Sequence, residues 1–384
     1  MKILHISYHT SPLANLGLND GGGLSTYVHE LCNVLSRSNS LIVITSENSK
    51  NEKDNLYELN TYSPLSPEVG MQEKIENLES FIYEFINSYT KDGIKQFDIV
   101  HAHYWLSGII AKRIHNEFRI PFVYTSHSLG LFNQGKSRLK YRINKEKEVM
   151  EAAKVVTVSS NFEFNFINNN YSIPKSKIIK VQPGVNRDIF FPNDFKEISE
   201  VKRIFCVGRI QEQKGQYLVL NFMKMLSELH INFHIYFVGE PSGEMGNQYL
   251  NKIKEGVKEN KLLDRTTFLG SLTQESLAEE LRSADLLVHT SKFETFGLVV
   301  VEANACGLPV LTLNNGPMEE LVSNNVNGFI SDDFTNDELK IFINNIFYDE
   351  KESIEIKKSS FKKSKEYSWE KTGKRFSELY KSLI

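Results

Sequence analysis

Three cysteines in 384 residues are too few and too scattered to staple a fold. Cys32, Cys206 and Cys306 sit in apolar surroundings without metal-ligand spacing, which argues against a disulfide scaffold or zinc module and for reduced, buried thiols. Long apolar runs are missing as well, none approaching the roughly 20 residues that cross a bilayer. The opening MKILHIS turns polar at once, without the apolar core of a secretory leader. The expectation is a cytoplasmic protein for which membrane contact is not favoured. Neither sign of charge dominates, with 45 Lys and Arg against 48 Asp and Glu, so no global field draws in nucleic acid.

What is present is an ordinary soluble composition, 40% hydrophobic and 24% charged, over a length that exceeds one usual core. Short β-branched runs alternate with longer segments of helical period, the pattern of βαβ units and parallel sheets. KILHIS, LIVIT, DIVHAH, FVYTS and VVTVSS supply the first half; RIFCVG, FHIYFVG, TFLG, DLLVHTS, LPVLTL and NGFI supply the second. Between them QPGVNRDIFFPND interrupts both periods and reads as the linker. The expected domains are 1–185, 186–365 and a closing amphipathic helix over 366–384 that packs across both.

Several strand-to-helix junctions carry candidate chemistry. Gly21, Gly22 and Gly23 precede a helix starting near Ser25, where glycines let a ligand approach backbone and N–H groups meet anions. In HAHYWLSG, directly after a strand, Tyr104 suits a sugar or a core equally well, whereas Trp105 reads as core. His127 tips the loop of YTSHSLG, beyond another strand end. It is followed by six cations and one acid over 136–147, where Arg142 is the guanidinium singled out for bidentate contacts. In VGRIQEQKG, Arg209 and Lys214 form a cationic pair suited to a diphosphate, with a surface pairing to Glu212 as the plainer alternative.

The segment FETFGLVVVEANACGLPV places Glu294 before a helix and Glu302 about two turns inside it. A carboxylate in so apolar a helix is costly without partners, and a sugar diol supplies them.

Together DGGGLSTYV, HAHYWLSG, TSHSLG, VQPGVN, VGRIQEQKG and FETFGLVVVEANACGLPV resemble retaining glycosyltransferases of family 4, nearest the sucrose-phosphate synthase and mycothiol glycosyltransferase branch. The resemblance spans nearly the whole chain. It implies an α/β GT-B fold: two Rossmann-like doubly wound parallel sheets facing a cleft, with a C-terminal helix crossing back to the first domain. It also implies transfer of a hexose from a nucleotide sugar, a UDP-sugar such as UDP-glucose or UDP-GlcNAc, to a hydroxyl of a small sugar, cyclitol or glycoside. A GDP-mannose-dependent mannosyltransferase and a GT-B epimerase are the alternatives.

By the same resemblance Arg209 and Lys214 bind the donor diphosphate and Glu302 its ribose. Glu294 with Thr295, Phe296, Gly297 and Leu298 holds the transferred sugar, and His127 lies beside it. Gly22 and Gly23 approach donor phosphate and acceptor, Gly270 lies near the base, and Ser25, Tyr104, Ser128 and Arg142 fall on the acceptor side. Leu24 and Ser25 stand where those relatives carry Gln or Asn, and no lysine before HAHYW matches their phosphate-binding lysine. No Asp-x-Asp stretch stands ready for a metal, so neither metal nor cofactor is expected beyond the donor itself.

Overall fold

The structure, a computed structural model, describes residues 1–14, 22–47, 57–66, 69–89, 91–133, 139–193 and 199–384. Gly21 and the first cations of the 136–147 run lie outside them. The chain divides into two units. One holds the described residues as far as Pro183 together with Trp369–Ile384, the other Gly184–Ser368.

Among the described residues the first unit is built on seven strands: β1 (Lys2–Ile6), β2 (Ser40–Glu47), β3 (Glu58–Leu65), β4 (Ile99–His103), β5 (Phe122–Thr125), β6 (Val155–Val158) and β7 (Ile178–Lys180). They are all parallel, in the order β3-β2-β1-β4-β5-β6-β7. Strand order reverses between β1 and β4, and in such sheets ligands bind beyond the carboxyl ends at that switch point. Leu4 and Ile6 of β1 enter the main core with Val100 and Ala102 of β4. His5 and His101, one register step away and paired with each other, face the opposite side, as the two-residue period of a strand requires.

The second unit repeats the scheme with β8 (Lys202–Val207), β9 (Phe233–Val238), β10 (Thr266–Gly270), β11 (Leu286–His289), β12 (Val310–Leu313) and β13 (Gly328–Ser331). The order is β10-β9-β8-β11-β12-β13, again parallel, with the switch between β8 and β11. Ile204 and Cys206 pack into one layer and Phe205 into the other, so the sheet is covered on both faces.

Every strand expected from the sequence forms, and all three cysteines are free and buried. Two strands were missed, β3 and β7, and both are sheet edges. With a single neighbour each, they need less of the apolar, β-branched character that marks a central strand. The last helix, Trp369–Lys381, buries Trp369, Phe376 and Tyr380 within the first unit. It packs along the helix Gly23–Ser36, with Trp369 edge-on to Tyr27 at 5.4 Å.

Candidate active site

In the second unit the switch point brings together what the sequence scattered. Arg209 is half-buried just beyond β8, and Lys214 closes a short turn of 3-10 helix, Glu212–Lys214. Gly215 then takes φ 67°, and a Cβ there would lie 2.3 Å from the Thr290 carbonyl oxygen. Only glycine lets this loop lie so close to the end of β11. The Thr290 hydroxyl donates to the Lys214 carbonyl at 2.7 Å and tightens the junction.

Beyond β11, Lys214 Nζ donates to Glu294 Oε1 at 2.5 Å, and His289 Nε2 lies 3.4 Å from the same oxygen. Burial alone would raise the Glu294 carboxyl, but Lys214 and then His289 outweigh it and hold the group well below the usual carboxylate range. Lys214 therefore pairs with Glu294, whereas the sequence offered Glu212 as its plainer partner; Glu212 approaches Lys292 instead, at 3.7 Å. Lys214 keeps further N–H donors on its ammonium beside the one given to Glu294.

The helix Leu298–Ala305 starts after Gly297, whose φ of 100° turns the chain, so its first N–H groups open onto the loop of Glu294 and Thr295. Phe296 is buried edge-on against Tyr367 at 5.6 Å and anchors that loop. Glu302 is half-buried inside the helix. Gly270 closes β10 and its carbonyl accepts from the Gly239 N–H at 2.7 Å.

In the first unit Tyr104 follows β4 with φ 75° and His127 lies two residues past β5 with φ 55°. Non-glycine residues seldom hold this region, and such strain gathers at functional sites. The Arg142 guanidinium stands 5.0 Å over the Tyr104 ring and donates to Glu146 at 2.7 Å and to the Ser128 carbonyl at 3.0 Å. Its Nη2 also reaches the Ser128 hydroxyl at 3.3 Å. Glu146 is fully buried and accepts further from the Gly130 N–H and the Tyr171 hydroxyl, so this buried pair is well satisfied. Arg142 thus sits in a built network and not on a solvated helix face. Gly22 precedes the helix Gly23–Ser36 in extended conformation, while Ser25 is buried and bonded to Thr10 at 3.1 Å.

Three further candidate residues are not marked by the sequence. Lys74, on the short helix Met71–Glu76, is only 3% exposed, and its Nζ donates to the His9 carbonyl at 2.8 Å. The His9 ring in turn lies 4.8 Å from that of Tyr104. Nothing in MQEKIE marks a lysine that will be buried. His103 and His5 form a row with His127, linked Nε2 to Nδ1 at 3.0 Å in both steps. Burial pulls His127 and His5 down to about 3 and His103 well below its ordinary value, so the row is neutral at pH 7.

Ring nitrogens of His5, His101 and His103 come within 4.8 Å of one another, a spacing that would suit a metal. Those of His101 are taken by Tyr380 and Thr125, and those of His103 by the row.

Comparison with known proteins agrees with this geometry. Residues 21–189 match the family described as Glycosyltransferase Family 4, and residues 189–363 match Glycosyl transferases group 1. The chain is 26% identical to the D-inositol 3-phosphate glycosyltransferase of Corynebacterium urealyticum, covering all of this chain and 96% of that protein. A similar enzyme from Mycolicibacterium smegmatis is also 26% identical, over 97% and 88%. Among solved structures, sucrose-phosphate synthase from Thermosynechococcus elongatus superposes with a TM-score of 0.86 at 25% identity over 100% and 98%. Anabaena HepE in complex with UDP-glucose shares the fold with a TM-score of 0.77 at 18% identity over the whole of both chains. The two family matches meet at residue 189 and together run from 21 to 363, over two Rossmann-like sheets whose strand-end loops carry the candidate residues; the chain therefore belongs to the GT-B glycosyltransferases, with a Family 4 first domain and a group 1 second domain.

Proposed function

We propose that the protein transfers a hexose, with retention of anomeric configuration, from a UDP-sugar to a hydroxyl of a small phosphorylated sugar or cyclitol. The observation that carries this reading is the Lys214–Glu294 pair beside the N-terminus of Leu298–Ala305, at the switch point of the second sheet. A cation and helix N–H groups receive a diphosphate, while a neighbouring carboxylate accepts from sugar hydroxyls. As the bond from the sugar's anomeric carbon to the phosphate oxygen breaks, charge grows on the diphosphate, and Arg209, Lys214 and the helix N–H groups stabilise it there. The acceptor oxygen bonds to the anomeric carbon on the same face and gives its proton to the departing phosphate oxygen. The scheme runs with this chain's own cations on the leaving group.

The donor reading draws on HepE, solved with UDP-glucose, and the acceptor reading on relatives named for inositol phosphate and sucrose phosphate. For the acceptor, the first unit offers Arg142 over the Tyr104 ring, and Lys74 bonded to the backbone carbonyl of His9, whose ring neighbours that of Tyr104. A planar guanidinium with an ammonium nearby suits a phosphate.

The test pairs UDP-glucose, UDP-GlcNAc and GDP-mannose with inositol phosphates, hexose phosphates and their unphosphorylated forms, reading UDP or GDP release and product configuration by NMR. Release that depends on a phosphorylated acceptor, with a product of the donor's configuration, supports the reading. An inverted product, or a new nucleotide sugar formed without acceptor, overturns it.

A further inference from the structure

The row His5–His103–His127 has a direction. Three neutral rings carry one ring proton each. The two hydrogen bonds, each 3.0 Å, take up two of those protons, and the third must sit at one end, on His5 Nε2 or on His127 Nδ1. The two placements are mirror orders of the whole row: every ring carries its proton on Nδ1, or every ring carries it on Nε2.

The two ends are not equivalent. His5 Nε2 is buried with no hydrogen-bond partner among the described residues. It lies in β1 beside the tilted ring of His101 at 5.1 Å, on the sheet face covered by the helices Gly23–Ser36 and Trp369–Lys381. Further rings pack on its two neighbours: Tyr27 reaches His103 at 6.0 Å, and Phe376 reaches His101 at 5.0 Å. An orphaned buried N–H is among the rarest features of folded proteins. A bare ring nitrogen at the dead end is the better-tolerated arrangement.

We propose that this dead end fixes the row in its Nδ1–H order, with His103 as the positioning residue that donates to His127 Nε2 and makes His127 a ring N–H donor through Nδ1. The proposal rests on the expectation, carried by the family resemblance, that His127 lies beside the transferred sugar. In that place His127 donates to a hydroxyl or phosphate oxygen of the donor and does not act as a base. The neutral state is maintained because burial keeps every ring of the row from taking a second proton at pH 7.

His101 provides an internal contrast. The Thr157 hydroxyl donates to the Tyr124 carbonyl at 3.4 Å, so Thr125 donates to Thr157 and must accept from His101 Nε2. His101 Nδ1 then accepts from the Tyr380 hydroxyl at 2.6 Å. Of the four neighbouring rings, His101 alone carries its proton on Nε2.

The test is a long-range proton–nitrogen correlation spectrum of the intact protein labelled with 15N-histidine, recorded at pH 7. The expected result is the Nδ1–H tautomer at His5, His103 and His127 and the Nε2–H tautomer at His101. An Nε2–H or doubly protonated His127 overturns the proposal, and this readout requires no turnover. In a folded His103→Phe variant, His127 should lose its single tautomer. Its kcat should fall about 10- to 100-fold, as when an orienting hydrogen bond to a functional ring is lost, with little change in donor KM. A His127 that keeps the Nδ1–H tautomer in that variant overturns the row as its cause. If the tautomers are as expected but His127→Ala turns over normally, the placement at the sugar fails and the row stands.

Discussion

Lys214 and Glu294 are 80 positions apart and meet at 2.5 Å, one carried by the loop after β8 and the other by the loop after β11. The two strands are neighbours in the sheet, so the pair bridges the two sides of the switch point. Replacing Lys214 by Met removes the cation that the proposed mechanism needs on the leaving diphosphate and strands the Glu294 carboxylate. We expect kcat to fall by roughly 100-fold or more with the fold retained by circular dichroism; turnover within a few-fold of the parent would rule out this role.

The two glutamates should separate kinetically. Glu302, inside the helix, is proposed to hold the donor's ribose alike in ground and transition states, so Glu302→Gln should chiefly raise the donor KM. Glu294 is proposed to stand where charge develops on the sugar, so Glu294→Gln should chiefly lower kcat, by roughly 100-fold. Steady-state kinetics on both variants checks this; an inverted pattern would mean that the donor lies otherwise along this helix.

Gly215→Ala tests the loop that presents Lys214. A left-handed φ and a Cβ 2.3 Å from the Thr290 carbonyl oxygen leave no room for the new methyl. The backbone must shift, at about 1–3 kcal/mol, and it carries Lys214 away from Glu294. Thermal unfolding should drop by several degrees with a matching loss of turnover; a variant as stable and active as the parent would contradict the packing described.

Acid should weaken the fold through the buried imidazoles. Burial holds His5 and His127 at about 3 and His101 and His103 well below their ordinary value. Below about 6.5 the unfolded chain takes up protons that the folded chain refuses, so stability is fully present above that value and falls as pH drops towards 3. Each such ring contributes up to about 1.4 kcal/mol per pH unit in that window. Glu163, raised by burial to about 7, acts in the opposite sense between its ordinary value and 7, but it is one group against four. The midpoint of thermal unfolding should be lower at pH 5 than at pH 7, and a higher one would refute this.

On the acceptor side, Lys74→Met should raise KM for a phosphorylated acceptor about tenfold or more while leaving acceptor-independent donor hydrolysis within about twofold. Equal KM values in variant and parent would remove Lys74 from the acceptor site. Arg142→Ala is the poorer probe: it strands the fully buried Glu146 and should cost about 3–5 kcal/mol of stability.

The sequence by itself determined the two-sheet class, because apolar runs followed by loops and helical periods are local properties of the chain. Arg209, Lys214, Glu294 and Glu302 were visible for the same reason, each lying at or just past a strand end or helix start that its own neighbours define. The edge strands β3 and β7 were not, since a strand with one neighbour carries little of the burial that composition records. Only the tertiary structure decided that Lys214 pairs with Glu294 and not with Glu212, that Arg142 is locked to Glu146, and that Lys74 is buried. It alone lined up His5, His103 and His127 as well, because β1 and β4, almost a hundred residues apart in the chain, lie side by side in the sheet. Hydrogen-bond partners are chosen by which strands become neighbours, and a parallel sheet makes neighbours of strands that are distant in sequence.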